Sequence, residues 1–110
     1  MRTNPDTGFI VGTIEEKVGD LESTDLRSVK IKVKRFEDEP EEAWRQNKLP
    51  QELVLDKVID VYLNPRYGGR YDELSVGNQV RVHVVLIAAY GGPEKGHYTF
   101  LIGDRTEILL

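Results

Sequence analysis

The longest apolar pattern in the chain runs from Leu74 to Tyr90. It opens with the turn-forming pair Gly77-Asn78, alternates valines with Arg81 and His83, and is then apolar at nearly every position from Val84 to Ala89. Alternation predicts a strand with one solvated face, and a continuous apolar run predicts burial of both faces. We therefore expect a long central strand within a mostly β domain.

Two earlier segments also have strand patterns. Phe9–Val18 is rich in apolar and β-branched residues, and Gly12 within it marks a bulge or a close contact between backbones. Val29–Phe36 alternates regularly, so that apolar side chains face the core. Its opposite face then carries a row of ammonium groups on Lys30, Lys32 and Lys34.

The segment from Glu37 to Pro50 predicts a short helix. Pro40 suits a first helical position, and the acidic residues after it favour the positive end of the helix dipole. Trp44 is expected to face the core, with Leu49 as a further candidate. The next segment, Leu53–Leu63, fits a strand or a helix, but its three valines and one isoleucine favour the strand because β-branched residues lose less freedom in a sheet.

Glycine-rich segments divide the rest of the chain. Residues 64–72 have the composition of a loop, and residues 91–96 that of a hairpin connection. A returning strand is predicted at His97–Ile102, with a break at Gly103-Asp104. The apolar end is expected to pair into the sheet or to mediate protein contact or self-association, through Ile108, Leu109 and Leu110.

These elements predict the fold class. A mostly β chain with five to six antiparallel strands and one short helix is closed most economically as a small barrel, because closure removes exposed sheet edges. A length of 110 residues is enough for a single core and too short for two. We expect a single domain over residues 1–110, with residues 1–8 as a flexible segment.

The pattern resembles the OB-fold barrel. The resemblance depends on the strand count, on Gly12 in the first strand, and on the entry into the long strand at residues 74–82, Leu-Ser-Val-Gly-Asn-Gln-Val-Arg-Val. It extends over residues 9–110. Many OB domains bind oligonucleotides across the outer face of their second and third strands, so the resemblance implies a binding module.

Composition narrows the class of protein. The chain has no cysteine, which excludes disulfides and thiolate metal sites and favours a cytoplasmic setting. No apolar run approaches the roughly 20 residues that cross a bilayer, so no membrane association is expected. A net charge of -4 argues against a protein that binds duplex phosphate over its whole surface.

Two groups of side chains are candidates for contacting single-stranded DNA or RNA. One is the lysine row on the second strand. The other lies in the 64–72 loop, where cations alternate with rings on which bases can stack at about 1–3 kcal/mol each. The predicted contact residues are Lys30, Lys32, Lys34, Arg66, Tyr67, Arg70 and Tyr71, with Arg81 joining the two groups.

The same residues allow two other interpretations. Asp56 and Asp60 alternate on the neighbouring predicted strand, where they can pair with the lysines and cancel their field. Tyrosine and arginine are also enriched at protein interfaces, so the loop equally suits an assembly or adaptor module. The sequence leaves both alternatives open.

Catalysis is not predicted. His83 and His97 are the only histidines, and each is expected at the surface. The chain has none of the histidine, nucleophile-elbow or phosphate-loop spacings of common enzyme sites. We therefore expect no cofactor, no metal site and a non-catalytic function.

Overall fold

Six strands form the described part of the fold. The computed structural model describes residues 6–20, 25–37, 47–49, 51–91 and 96–109. The strands, numbered β1 to β6 in chain order, are Asp6–Asp20, Arg27–Glu37, Asn47–Lys48, Val58–Leu63, Gln79–Gly91 and Gly96–Leu109. The predicted mostly β class is confirmed.

The long strands pair in a circuit. β1 pairs with β2, β2 with β4, β4 with β6, β6 with β5, and β5 returns to β1. The prediction that all pairings are antiparallel is wrong, because β4 and β6 run parallel through Val61–Leu63 and Leu101–Gly103. β5, which lies between them in the chain, runs antiparallel to β6, whereas β4 and β6 point in the same direction. The sheet is therefore mixed.

Alternation along the strands places the core on one face of the sheet. Val29, Ile31 and Val33 of β2 are fully buried, while Lys32 and Lys34 are exposed. β4 and β5 add buried residues in the same period-2 pattern. The buried apolar side chains of these three strands are Val29, Ile31, Val33, Val61, Leu63, Val80, Val82 and Val84.

Most of the predicted helix at Glu37–Pro50 lies outside the described residues, and only its two ends are described. Glu37 ends β2, and Asn47–Lys48 forms β3, which pairs in parallel with the start of β1. Helical structure within the described ranges is limited to 3-10 turns at Gln51–Leu53, Pro65–Tyr67 and Tyr71–Glu73. Backbone pairing with β1 therefore overrides helix propensity at residues 47–48. Trp44 lies outside the described residues, whereas Leu49 is fully buried as expected.

The ambiguous segment is a strand in its second half. β4 begins at Val58, after a turn in which Asp56 has a positive φ of 63°. Val33 donates to the carbonyl of Lys57 and accepts from the amide of Asp56, which is the hydrogen bonding of a β-bulge. Leu53 and Val54 lie before this bulge, in a 3-10 turn and the turn that follows it, and there Val54 is buried and Leu53 is exposed.

Residues at Gly103-Asp104 do not break the last strand. β6 continues through them, and its register with β5 shifts between Arg81 and His83 because β6 holds one extra residue there. Arg105 has a positive φ of 49° at this bulge. Gly103 is buried where a Cβ would lie 2.7–2.9 Å from side chains of β4 and β5. The glycine is required by close packing, as at Gly12, where a Cβ would meet the backbone of β2.

Both ends of the described chain join the sheet. Residues 6–8 of the segment predicted as flexible belong to β1, and Thr7 there is buried. Ile108 and Leu109 pair with β5, and Ile108 packs against the core, which confirms that the apolar end enters the sheet. Leu110 lies outside the described residues.

Candidate nucleic-acid interface

The lysine row lies on the outer face of β2. Lys30 is opposite Asp60 on β4, and its ammonium group is 2.7 Å from that carboxylate, which raises the pKa of Lys30. Lys32 and Lys34 are exposed and form no ion pair with any described residue. One lysine is neutralised, as the alternative interpretation required, and two ammonium groups remain available.

The cations of the 64–72 loop are paired. Arg66 lies 3.1 Å from Asp25. Arg70 lies 2.7 Å from Glu73, whose pKa it lowers by donating to the carboxylate, and it also donates to the carbonyl of Thr106. The loop therefore has little positive charge to offer a phosphate, although exposed pairs of this kind contribute little to stability.

The two tyrosines of the loop differ in how exposed their rings are. Tyr71 packs against the core, and the ammonium group of Lys17 lies 4.4 Å from its ring centroid. Lys17 also donates to the carbonyl of Leu74, which fixes it over the ring. Tyr67 is 65% exposed. Tyr67 is thus the more accessible stacking surface of the two.

Arg81 of β5 is held by contacts with three neighbouring strands. It donates to Glu37 at 2.8 Å and to Glu107 at 3.2 Å, and its guanidinium lies 3.8 Å from the ring centroid of Phe9. Its hydrogen bond is the main reason that the pKa of Glu37 is lowered. Arg81 therefore joins strands β1, β2, β5 and β6 through contacts of its own.

The predicted residues do not form one surface. Arg27 at the start of β2 lies opposite Leu63, the last residue of β4 before the loop. From Arg27 the lysine row runs along β2 toward Glu37, away from the loop. The loop packs instead on the far part of β6, where Gly68 accepts from the amide of Thr106. The lysine row and the loop therefore lie on different parts of the sheet, and Arg81 bonds to Glu37 at the end of β2 that is farther from the loop.

The structure adds two aromatic residues that the sequence interpretation missed. Tyr62 of β4 and Phe100 of β6 are partly exposed, with ring centroids 5.7 Å apart in an edge-to-face arrangement. Tyr62 shares the outer face of the sheet with Asp60 and Lys30, because residues at period 2 lie on one face. The signal in the sequence was the alternation of Asp60 and Tyr62 with buried Val61 and Leu63.

A cleft opens beside these rings. Pairing between β4 and β6 starts only at Val61, so the earlier parts of the two strands diverge. The gap has a volume of about 410 Å³, within the range of about 300–1,000 Å³ for ligand sites. Its described lining is Leu49, Leu53, Val54, Val58, Ile59, Asp60, Tyr62, Leu86, Phe100 and Leu101.

The expectation that His83 is a surface residue is wrong. It is 4% exposed, its Nδ1 lies 3.0 Å from Asp104, and its ring packs edge-on against Phe9. Burial alone would raise the pKa of Asp104, but the contacts with His83 and Arg105 outweigh burial and leave this pKa lowered. The bulge in β6 brings these groups together. The side chain of His97 lies outside the described residues.

Within the described ranges, no three histidine or carboxylate side chains are placed to hold a metal ion. No helix in the described part of the chain has both the length and the apolarity needed to span a membrane.

No known protein family model and no curated protein matches this sequence.

Proposed function

We propose that this chain is a closed five-stranded barrel of the OB type that acts as a non-catalytic binding module for single-stranded nucleic acid. The circuit of five long strands supports the barrel, because it leaves each long strand with two neighbours. β2 and β4 are the second and third long strands of this circuit. They correspond to the face on which OB barrels bind oligonucleotides.

The observation that carries the proposal is the composition of this face. Lys32 and Lys34 supply exposed cations, and Tyr62 and Phe100 supply rings beside an open cleft. Cations that follow phosphates and rings on which bases stack are the two requirements of single-strand binding. The ligand contacts therefore move from the 64–72 loop to the outer face of β2, β4 and β6, which we name the lysine–aromatic face.

Fluorescence anisotropy tests the proposal. A labelled single strand of mixed sequence, about 12 nucleotides long, falls within the roughly 4–16 nucleotides that an OB domain covers. At low salt we expect saturable binding that weakens as salt is raised. Absence of binding at high micromolar protein would refute the proposal. A duplex of the same sequence serves as the comparison and is expected to bind more weakly, because its bases are not free to stack.

A protein segment is the second candidate ligand, favoured by the rim of the cleft. Leu53 and Val58 at this rim are 48% and 52% exposed. Hydrogen-bonded pairs alternate along antiparallel strands, and the bonds between Val33 and Lys57 make Ile59 and Val61 the next residues that bond to β2. The peptide groups of Val58 and Asp60 therefore point away from β2. An extended apolar peptide could add to this edge. Leu53→Ser with Val58→Ser would then weaken protein binding without changing the salt dependence of oligonucleotide binding.

A further inference from the structure

We infer that the cleft between β4 and β6 is a base pocket that selects guanine, with Asp60 as the residue that determines specificity. This inference rests on the proposed function, since it assigns a base preference to the same lysine–aromatic face. It follows from the position of the cleft, from its lining and from the hydrogen-bonding chemistry of one carboxylate.

The position of the cleft suits a base whose phosphates lie on the lysine row. The row and the cleft are on adjacent strands, with Lys30 and Lys32 directly opposite Asp60 and Val58. A nucleotide whose base enters the cleft would leave its sugar and phosphate at the rim, toward β2. The exposed ammonium groups of Lys32 and Lys34 lie on this side.

The lining of the cleft offers stacking surface and one strong acceptor. Tyr62 and Phe100 provide the rings, and aliphatic side chains provide most of the remaining wall. Asp60 is the only charged residue among the described lining residues. Its Oδ1 accepts from Lys30 at 2.7 Å, and because an ionised carboxylate has about four lone-pair sites, acceptor capacity remains on both oxygens.

A carboxylate that faces a base edge discriminates among the bases. Guanine presents two adjacent N–H donors, N1–H and N2–H, which match the two oxygens of a carboxylate in a bidentate arrangement. Adenine and cytosine present one amino group beside a ring-nitrogen acceptor. Thymine and uracil present one N–H between two carbonyl oxygens. In each of these bases an acceptor would face the negative charge, so guanine is the best partner of Asp60.

The inference is tested with three labelled strands of about 12 nucleotides. One alternates thymine and guanine, one replaces each guanine by inosine, which lacks the N2 amino group, and one contains thymine alone. For the unmodified protein we expect the guanine strand to bind at least about tenfold more tightly than the thymine strand, because a bidentate contact discriminates by this order. The inosine strand should be intermediate.

Asp60→Asn is the diagnostic substitution. It removes one acceptor and the negative charge, so the preference for guanine should fall below about twofold. The thymine strand should bind equally well or more tightly, because Lys30 is released from its ion pair. Asp56→Asn is the matched control: it makes the same charge change at an exposed residue outside the cleft lining, and asparagine tolerates the positive φ found there. The control should retain the preference.

The outcomes separate the two proposals. If no strand binds, the proposed function and the base pocket both fail. If all strands bind equally, or if Asp60→Asn keeps the preference for guanine, the base pocket is refuted while the binding function stands. If only an apolar peptide binds the cleft, the second candidate function replaces both.

Discussion

Neutralising Lys32 and Lys34 should reduce the salt dependence of the proposed oligonucleotide binding by an amount that counterion release predicts. Lys30 is already compensated by Asp60 at 2.7 Å, whereas the other two lysines have no such partner among the described residues. The double substitution Lys32→Gln and Lys34→Gln therefore removes two effective charges from the lysine–aromatic face. Both side chains are exposed, so we expect the fold to be unaffected.

The magnitude follows from counterion release. Each neutralised phosphate of a single strand contributes about -0.7 to the slope of log affinity against log salt, so two lysines contribute about -1.4. Between about 50 and 200 mM salt, this part of the slope corresponds to a roughly sevenfold loss of affinity. The double variant should lose this component while keeping the part of the affinity that comes from stacking on Tyr62 and Phe100.

Anisotropy titrations at four or more salt concentrations give the slope directly. The matched control is Arg66→Gln with Arg70→Gln, which removes the same formal charge from the 64–72 loop. Its slope should match that of the unmodified protein, because Asp25 and Glu73 already neutralise these arginines. An unchanged slope in the lysine variant would refute the reasoning. An equal decrease in the arginine variant would place the ligand on the loop instead. Circular dichroism of both variants verifies folding.

Two further predictions concern the packing of the last strand. Gly103→Ala should lower the free energy of unfolding by about 1–3 kcal/mol, because its Cβ would crowd Val61 and Val82; a urea midpoint equal to that of the unmodified protein would contradict the packing argument. The lowered pKa of Asp104 means that folding favours its charged form, so its stabilisation is complete above the unfolded pKa of about 4 and is lost as pH falls through the lower folded value. Asp104→Asn should therefore be less stable than the unmodified protein at neutral pH, and urea titrations should show this difference shrinking below about pH 4. A difference that stays constant with pH would exclude this role of Asp104.

The strands could be predicted from the sequence because alternation is a local property. The lysines of β2 and the valines of β5 reveal their faces within a few residues. The pairing of β4 with β6 could not be predicted in the same way, because it joins residues about 40 positions apart and no local pattern encodes it. Asn47–Lys48 shows the same limit, since its strand conformation comes from pairing with distant Asp6–Thr7.

Only part of the candidate site could be predicted, because the site also depends on contacts between distant residues. The sequence shows which side chains are charged but not which partners they meet, so Arg66 looked available although Asp25 neutralises it from another loop. The alternative in which the aspartates pair with the lysine row holds for Asp60 and Lys30. Tyr62 was missed because its segment looked like a core strand. The cleft depends on where two strands diverge, which is a property of the assembled sheet alone.

The central claim is that single-stranded nucleic acid binds across the lysine–aromatic face, and chemical-shift mapping tests it most directly. In a titration of isotope-labelled protein with a guanine-containing strand, the account predicts that the perturbed backbone amides cluster at residues 30–34, 58–62 and 100–102. Amides of residues 65–71 should stay unperturbed. Perturbations centred on residues 65–71, or no perturbation at saturating oligonucleotide, would contradict the account.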